Sequence, residues 1–405
     1  MHAQPMSDML PSDPEDDDPP PPPPPSWMVR GSASASASLS ASPASPAPKR
    51  PATATATAML QGTLQFRGVQ TPEPAVVPEG GWLVCDFFCS IGGVSCAAKQ
   101  LGYPVVLAID MDEGRIGVHK ENHPSCKHVT MELGHAVTEE VVALIEEAVP
   151  ASQRHRLWLH LSPPCQTQSA ARMLGKANGC YYELQEDKAD GLELVRWALE
   201  LVRRLRPAQW SLEEVNDKHG KVAGLLQEFK RRDRALFDYE PMDMLEFGVP
   251  QSRSRMIGGR PATMHALRLA RSLRVRRHVG ISEVVTPPEE AVFLRGIKNR
   301  YIKDKTKVKR CPTLPGRWTD GMVELWEPWL PAPTVCASHP HAWMNAAYDK
   351  IRVLSPAETG ALMTFPPDFA WPVGRCDSLC NGDLGNAVPP LFARKVLLAA
   401  STAVA

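Results

Sequence analysis

The stretch from Trp82 to Asp112 does most to limit the fold. Trp82-Leu83-Val84-Cys85-Asp86-Phe87-Phe88 is a short apolar run that reads as a strand. Cys89-Ser90-Ile91-Gly92-Gly93 follows as a small-residue loop, Val94 to Leu101 continues with helical spacing, and Gly102 is placed to end that helix. Val105 to Ile109 reads as a second strand, closed by Asp110 and Asp112. Strand, loop, helix and strand in this order make a βαβ unit, the building block of a parallel, Rossmann-like α/β sheet. Small residues at the first turn let a ligand approach the backbone, and an acid ending the second strand can accept both hydroxyls of a ribose. A tight turn beside a solvated acid is the plainer alternative. The loop is not GxGxxG, which disfavours a dinucleotide.

The same rhythm recurs. Thr138 to Ala148 reads as a helix and Leu157 to Leu161 as a buried strand, leading into Ser162-Pro163-Pro164-Cys165-Gln166. The two prolines stop the strand and remove two backbone donors. Cys165 therefore falls where open α/β sheets place their chemistry, as a reactive thiol or as a small buried hydrophobe. Residues 166–190 are polar with two glycines and read as a mobile loop. Leu192 to Leu205 has helical periodicity, with Arg203, Arg204 and Arg206 at the end that favours cations. Trp210-Ser211-Leu212 reads as a strand and runs into Glu213-Glu214-Val215-Asn216. Gln251-Ser252-Arg253-Ser254-Arg255 leads into a strand at Met256-Ile257-Gly258. In strand geometry Gln251, Arg253 and Arg255 share a face, suited to a polar base or a phosphate, or simply to solvent. Ser355-Pro356-Ala357-Glu358 has capping-box spacing and opens a helix to Met363. Asn381 to Pro390 reads as a turn-rich loop, and Leu391 to Val404 as a final helix.

Charge and composition bound the rest. The formal net charge is zero, but residues 260–310 carry 14 Lys/Arg against 4 Asp/Glu. That one-signed stretch, including Arg274, Arg276 and Arg277, reads as a phosphate-binding surface, with a solvated face as the alternative. The ten cysteines lack paired metal-type spacings, so no metal is expected. No apolar run approaches a membrane span. Residues 1–78 combine an acidic cluster, a proline run and Ser/Ala and Ala/Thr repeats, the composition of a disordered tail. Pro48-Lys49-Arg50-Pro51 fits part of a nuclear import signal, placing the chain in a nucleus if its source is eukaryotic and in the cytoplasm otherwise.

Taken in order from Trp82 to the end, these pieces resemble the C5-cytosine DNA methyltransferases. Asp86 to Gly93 looks like that family's first cofactor motif, and Pro163-Pro164-Cys165-Gln166 matches its nucleophile motif. Leu212-Glu213-Glu214-Val215 resembles its Glu-Asn-Val motif, with Glu214 where the family has Asn; Ser90 likewise stands for the usual Gly. Gln251 to Arg255 matches Gln-x-Arg-x-Arg, and Gly385-Asn386-Ala387-Val388-Pro389 the last motif. The resemblance implies a Rossmann-like S-adenosylmethionine-dependent fold with a small inserted recognition domain. It implies boundaries at 1–78 (tail), 79–259 (catalytic and cofactor-binding), 260–332 (recognition) and 333–405 (completing the catalytic domain).

It also implies roles. Cys165 would attack the base, Glu213 would act at N3, Arg255 would hold O2, and Arg253 would hold phosphate or the loop. S-adenosylmethionine would contact Phe88, Ser90, Ile91, Gly92, Gly93, Asp110, Met111, Glu132, Pro163, Asn386, Ala387 and Val388. Gln166, Gln251, Arg274, Arg276 and Arg277 would bind the nucleic acid. The expected partner of this monomer is DNA. An RNA substrate is the alternative, because one branch of the fold methylates a tRNA and its nucleophile motif also begins Ser-Pro-Pro-Cys-Gln. A catalytically weak DNA-binding homologue is the other.

Overall fold

The computed structural model describes residues 79–164, 192–273, 278–289, 291–295, 309–310, 317–319, 324–344 and 351–401. The expected tail and loop, and Cys165, Gln166, Arg274, Arg276 and Arg277, lie outside these residues.

A seven-stranded sheet organises the larger part. Its strands are β1 (Leu83–Phe87), β2 (Val105–Asp110), β3 (Lys127–Thr130), β4 (Leu157–Leu161), β5 (Gln209–Val215), β6 (Asp238–Asp243) and β7 (Ser254–Gly259), in the order β3-β2-β1-β4-β5-β7-β6. The first five run parallel, and β7 lies antiparallel between β5 and β6. The order reverses between β1 and β4, so their carboxyl ends flank the crevice where ligands bind in such sheets.

Alternation sorts the strand side chains onto two buried faces. Leu83, Cys85, Phe87, Leu159, Leu161, Trp210 and Leu212 pack against α3 (Thr138–Ala148), α4 (Glu193–Leu205) and α5 (Lys221–Arg232). Val84, Trp158 and Ile257 pack against α1 (Gly93–Gln100), α6 (Pro261–Ser272) and α9 (Pro390–Ala399). The last helix thus lies beside the first, on the same face of the sheet. The remaining helices are α2 (Glu113–Asn122), started by Asp112, whose carboxylate accepts from Arg115 N–H at 3.0 Å, α7 (Pro356–Leu362) and α8 (Asp377–Asn386). The capping box read at Ser355 is present: its Oγ accepts from Glu358 N–H at 3.3 Å and Glu358 Oε2 accepts from Ser355 N–H at 2.8 Å.

A second sheet holds β8 (Val292–Arg295), β9 (Lys309–Arg310), β10 (Arg317–Thr319), β11 (Glu324–Trp326), β12 (Ala342–Met344) and β13 (Ile351–Val353), in the order β13-β12-β8-β11-β10-β9. Phe293, Trp326 and Trp343 share a core with Ile91, Leu354, Leu384 and Ala387.

Helix α6 packs with the seven-stranded sheet, because Met264 and Leu267 are buried against its α9 side. The line at 332/333 falls inside the second sheet, whose strands continue to Val353. Asn381 to Asn386 is helical, as the end of α8, rather than a loop.

Candidate active site

The site lies at the carboxyl ends of β1, β4 and β5. Leu161 ends β4, and half-buried Ser162, buried Pro163 and exposed Pro164 follow it without regular structure. On β5, Glu213 is buried and faces the same side as Ser211. Ser162 Oγ donates to Glu213 Oε2 at 2.8 Å, and Arg255 Nε lies 2.8 Å from Glu213 Oε1 in an ion pair. Arg255 reaches it because β7 pairs with β5 in a register that sets Val215 opposite Arg255. A carboxylate, a guanidinium and a hydroxyl thus meet at the end of β4. Two adjacent strand residues point to opposite faces, so Glu214 turns away from Glu213. Burial, reinforced by the Glu213 charge, pushes the Glu214 carboxyl well above the usual carboxylate range.

The other two members of the Gln-x-Arg-x-Arg segment do different work from that expected. Gln251 is fully buried; its amide donates to Leu362 O at 2.9 Å and accepts from Val335 N–H at 3.0 Å. Arg253 is 2% exposed and donates to Val335 O at 3.0 Å, Gly385 O at 3.3 Å and Ala387 O at 3.2 Å. Through these contacts both hold C-terminal segments against the sheet. The shared face fails because the strand starts only at Ser254. The cations of α6 are also engaged: Arg268 pairs with Asp238 at 2.7 Å and with Glu240, and Arg271 with Glu240.

A small pocket opens between β1 and β4 and is lined by Asp86, Phe88, Ser90, Gly93, His160, Ser162, Asn386 and Val388 among others. Its loop is tightly wound: Phe88 and Ser90 have φ of 56° and 48°, in the left-handed region. Ser90 N–H donates to Asp110 Oδ2 at 2.9 Å, tying the loop to the end of β2. Gly93 opens α1 where a Cβ would stand 2.0 Å from the Val388 carbonyl oxygen, so only glycine permits this approach of the last motif to the first.

Among the expected cofactor residues, Phe88, Ser90, Gly93, Asn386, Ala387 and Val388 line this cavity. Gly92 immediately precedes α1 as its N-cap. Asp110, Met111 and Glu132 do not line it; they sit at the neighbouring ends of β2 and β3, with Met111 62% exposed. Asp110 accepts from Ser90 and Asp112 N–H, which leaves lone pairs on both oxygens. The Ile91 side chain is fully buried in the core shared with the second sheet, which leaves its backbone to meet a ligand.

Sequence reasoning missed a buried polar row under the cavity. Asp86, His160 and Ser211 stand side by side on β1, β4 and β5. Trp158 Nε1–H donates to Ser211 Oγ at 3.1 Å, and Ser211 Oγ lies 2.9 Å from His160 Nδ1. Burial lowers the His160 imidazole to about 4. Ser95 Oγ donates to Asp86 Oδ2 at 2.7 Å and lies 2.9 Å from His119 Nε2, whose Nδ1 is 2.8 Å from His128 Nε2. Burial raises the Asp86 carboxyl to about 7, against the Ser95 hydrogen bonds that lower it. The period-two alternation of His160 with Ser162, and of Ser211 with Glu213, was the available signal. No group of three or more His, Cys, Asp or Glu among the described residues could hold a metal ion. No described helix is long and apolar enough to cross a membrane.

Residues 83–261 match the family model described as C-5 cytosine-specific DNA methylase. A type II methyltransferase of Xanthomonas oryzae, M.XorII, is 25% identical over 181 residues, a match spanning 42% of this chain and 38% of that protein. Among solved structures, Dnmt2 methyltransferase of S. pombe superposes with a TM-score of 0.53 at 13% identity, covering 79% of this chain and 98% of that one. A mutant DNMT2 of Spodoptera frugiperda gives 0.52 at 15% identity, covering 80% and 100%. A DNA modification methyltransferase encoded within an E. coli prophage gives 0.51 at 17%, covering 79% and 98%. These structures share the Rossmann-like methyltransferase fold.

Proposed function

We propose, from the match of residues 83–261 to the C-5 cytosine-specific DNA methylase model, that the chain transfers a methyl group from S-adenosylmethionine to C5 of cytosine in DNA. The observation that carries this reading is the Ser162–Glu213–Arg255 cluster at the strand ends.

The cavity fits the cofactor. Ser90 Oγ is a buried hydroxyl without a partner among the described residues, and Asp110 keeps lone pairs for a ribose at the next strand end. Phe88, Ser90, Gly93, Asn386 and Val388 would hold its amino-acid end, with Asp110, Met111 and Glu132 beyond. When bound it supplies the electrophilic methyl group.

The chain's own residues prepare the base. Cytosine C5 is a poor nucleophile. The Cys165 thiolate adds to C6, forming an S–C6 bond and moving the ring electron pair toward C5. Glu213 carries a proton or hydrogen bond to N3, where charge develops, and Arg255 binds O2. Loss of the C5 proton to a base then expels the thiolate and restores the double bond. The target base must leave the helix stack to reach these groups.

Bisulfite sequencing of duplex DNA treated with protein and cofactor, beside Cys165→Ala, tests the reading. Methylation by the native chain and none by Cys165→Ala is expected; methylation that survives the change rules out the nucleophile. Tritium transfer onto duplex DNA and total tRNA, run in parallel, decides the substrate, and label on tRNA alone overturns the DNA reading.

A further inference from the structure

Ser90 has two oddities that nothing within the described protein explains. Its φ of 48° lies in the left-handed region, where glycine is free of the strain that a Cβ brings. Its Oγ is buried with no hydrogen-bond partner among the described residues, and the residue is only 7% exposed. A glycine would avoid both penalties. The backbone does not need the hydroxyl, because the loop is already tied down by Ser90 N–H donating to Asp110 Oδ2 at 2.9 Å. An orphaned polar atom in a folded interior points to a partner that arrives later.

The position narrows that partner. Ser90 lines the cavity between β1 and β4, together with Gly93, Asn386 and Val388. Asp110, Met111 and Glu132 lie outside it, at the ends of β2 and β3, where the cofactor reading above puts the ribose and adenine. What enters the Ser90 cavity is the other end of the cofactor. Asp86, a carboxyl group of the same cavity, suits the cationic part of an amino acid rather than its anion. A hydroxyl that can rotate to donate suits the anion.

We propose that Ser90 Oγ donates a hydrogen bond to the carboxylate at the amino-acid end of S-adenosylmethionine, a contact peculiar to this chain's serine. The proposal rests on the cofactor reading above. The hydroxyl makes the loop less comfortable when the site is empty and the complex tighter when it is filled.

The test uses the full chain and calorimetric titration with S-adenosylhomocysteine, decarboxylated S-adenosylmethionine and 5′-methylthioadenosine. Ser90→Gly and Ser90→Ala are expected to weaken S-adenosylhomocysteine binding about tenfold, the worth of one charge-assisted hydrogen bond. Both should bind the two analogues that lack the carboxylate as the native chain does. Thermal melting without ligand should show Ser90→Gly unchanged or more stable, which separates lost contact from damaged fold. Native affinity for S-adenosylhomocysteine in both variants overturns the proposal, as does an equal loss for all three ligands. If the native chain binds none of the three, the cofactor reading itself fails; if it binds them and the variants do not discriminate, only the Ser90 contact fails.

Discussion

Ser162 donates its hydroxyl proton to Glu213 Oε2 across 2.8 Å, so the residue that follows β4 is joined to the carboxylate of the adjacent strand. The same carboxylate holds Arg255 by its other oxygen. Glu213→Gln keeps the shape but removes the acid, and should slow single-turnover methyl transfer by about 100-fold or more. Ser162→Ala removes the tether and should cost about tenfold in single-turnover methyl transfer. Equal losses in the two variants would show that the tether and the acid do not act separately.

Arg253 should behave as a structural residue. Its guanidinium spends its hydrogen bonds on the carbonyls of Val335, Gly385 and Ala387, binding the last motif to β7. Arg253→Met should lower stability by about 3 kcal/mol, read as a shift in the urea midpoint. Salt dependence of DNA binding should not change, because the guanidinium is engaged with these carbonyls.

Gly93→Ala tests the approach of the first motif to the last. The new Cβ would meet the Val388 backbone oxygen at 2.0 Å, and a carbonyl inside a packed segment cannot swing aside as a side chain would. Overpacking of this kind costs about 1–3 kcal/mol. The expected signature is a lower melting temperature together with weaker S-adenosylhomocysteine binding, since Val388 lines the same cavity.

Glu214 makes stability fall as pH rises. Its folded carboxyl is held well above the usual range by burial and then by Glu213, whereas an unfolded Glu releases its proton near pH ~4.3. Between those two values the folded chain binds the extra proton, so each rise in pH favours unfolding. Glu214→Gln removes this term. Its urea midpoint should exceed that of the native chain at pH 8, with the gap closing toward pH 4.5. Asp86 titrates in the same direction, raised to about 7, but it is present in both proteins and cancels in the difference.

The parallel sheet was readable because β2 is an apolar run closed by Asp110 and because β1 and β4 are apolar apart from Asp86 and His160, a trace that buried parallel strands leave. Helix α8 was not, because a polar segment with Gly382 and Gly385 looks like a loop. Gly385 is there for closeness: a Cβ would stand 2.3 Å from Ala337 N. Glu213 and Arg255 could be picked out because each sits at a strand end. The clamping contacts of Gln251 and Arg253 could not be read, because they go to backbone atoms more than 80 positions away, which no local pattern reports. The polar row of Asp86, His160 and Ser211 depends on strand register, and sequence alone leaves register open.

Trp82 Nε1–H points to Ser401 Oγ at 3.4 Å, and Tyr103 Oη lies 3.0 Å from the same hydroxyl. The beginning of the first strand therefore meets the end of the last helix. A gene rearranged so that a short linker joins Ser401 to Gly81, with new ends opened in an exposed connection, should still assemble the cavity. The linear order of the motifs is then an accident of where the ring of elements was cut, and a relative with the same parts in rotated order would be a fair match to this protein.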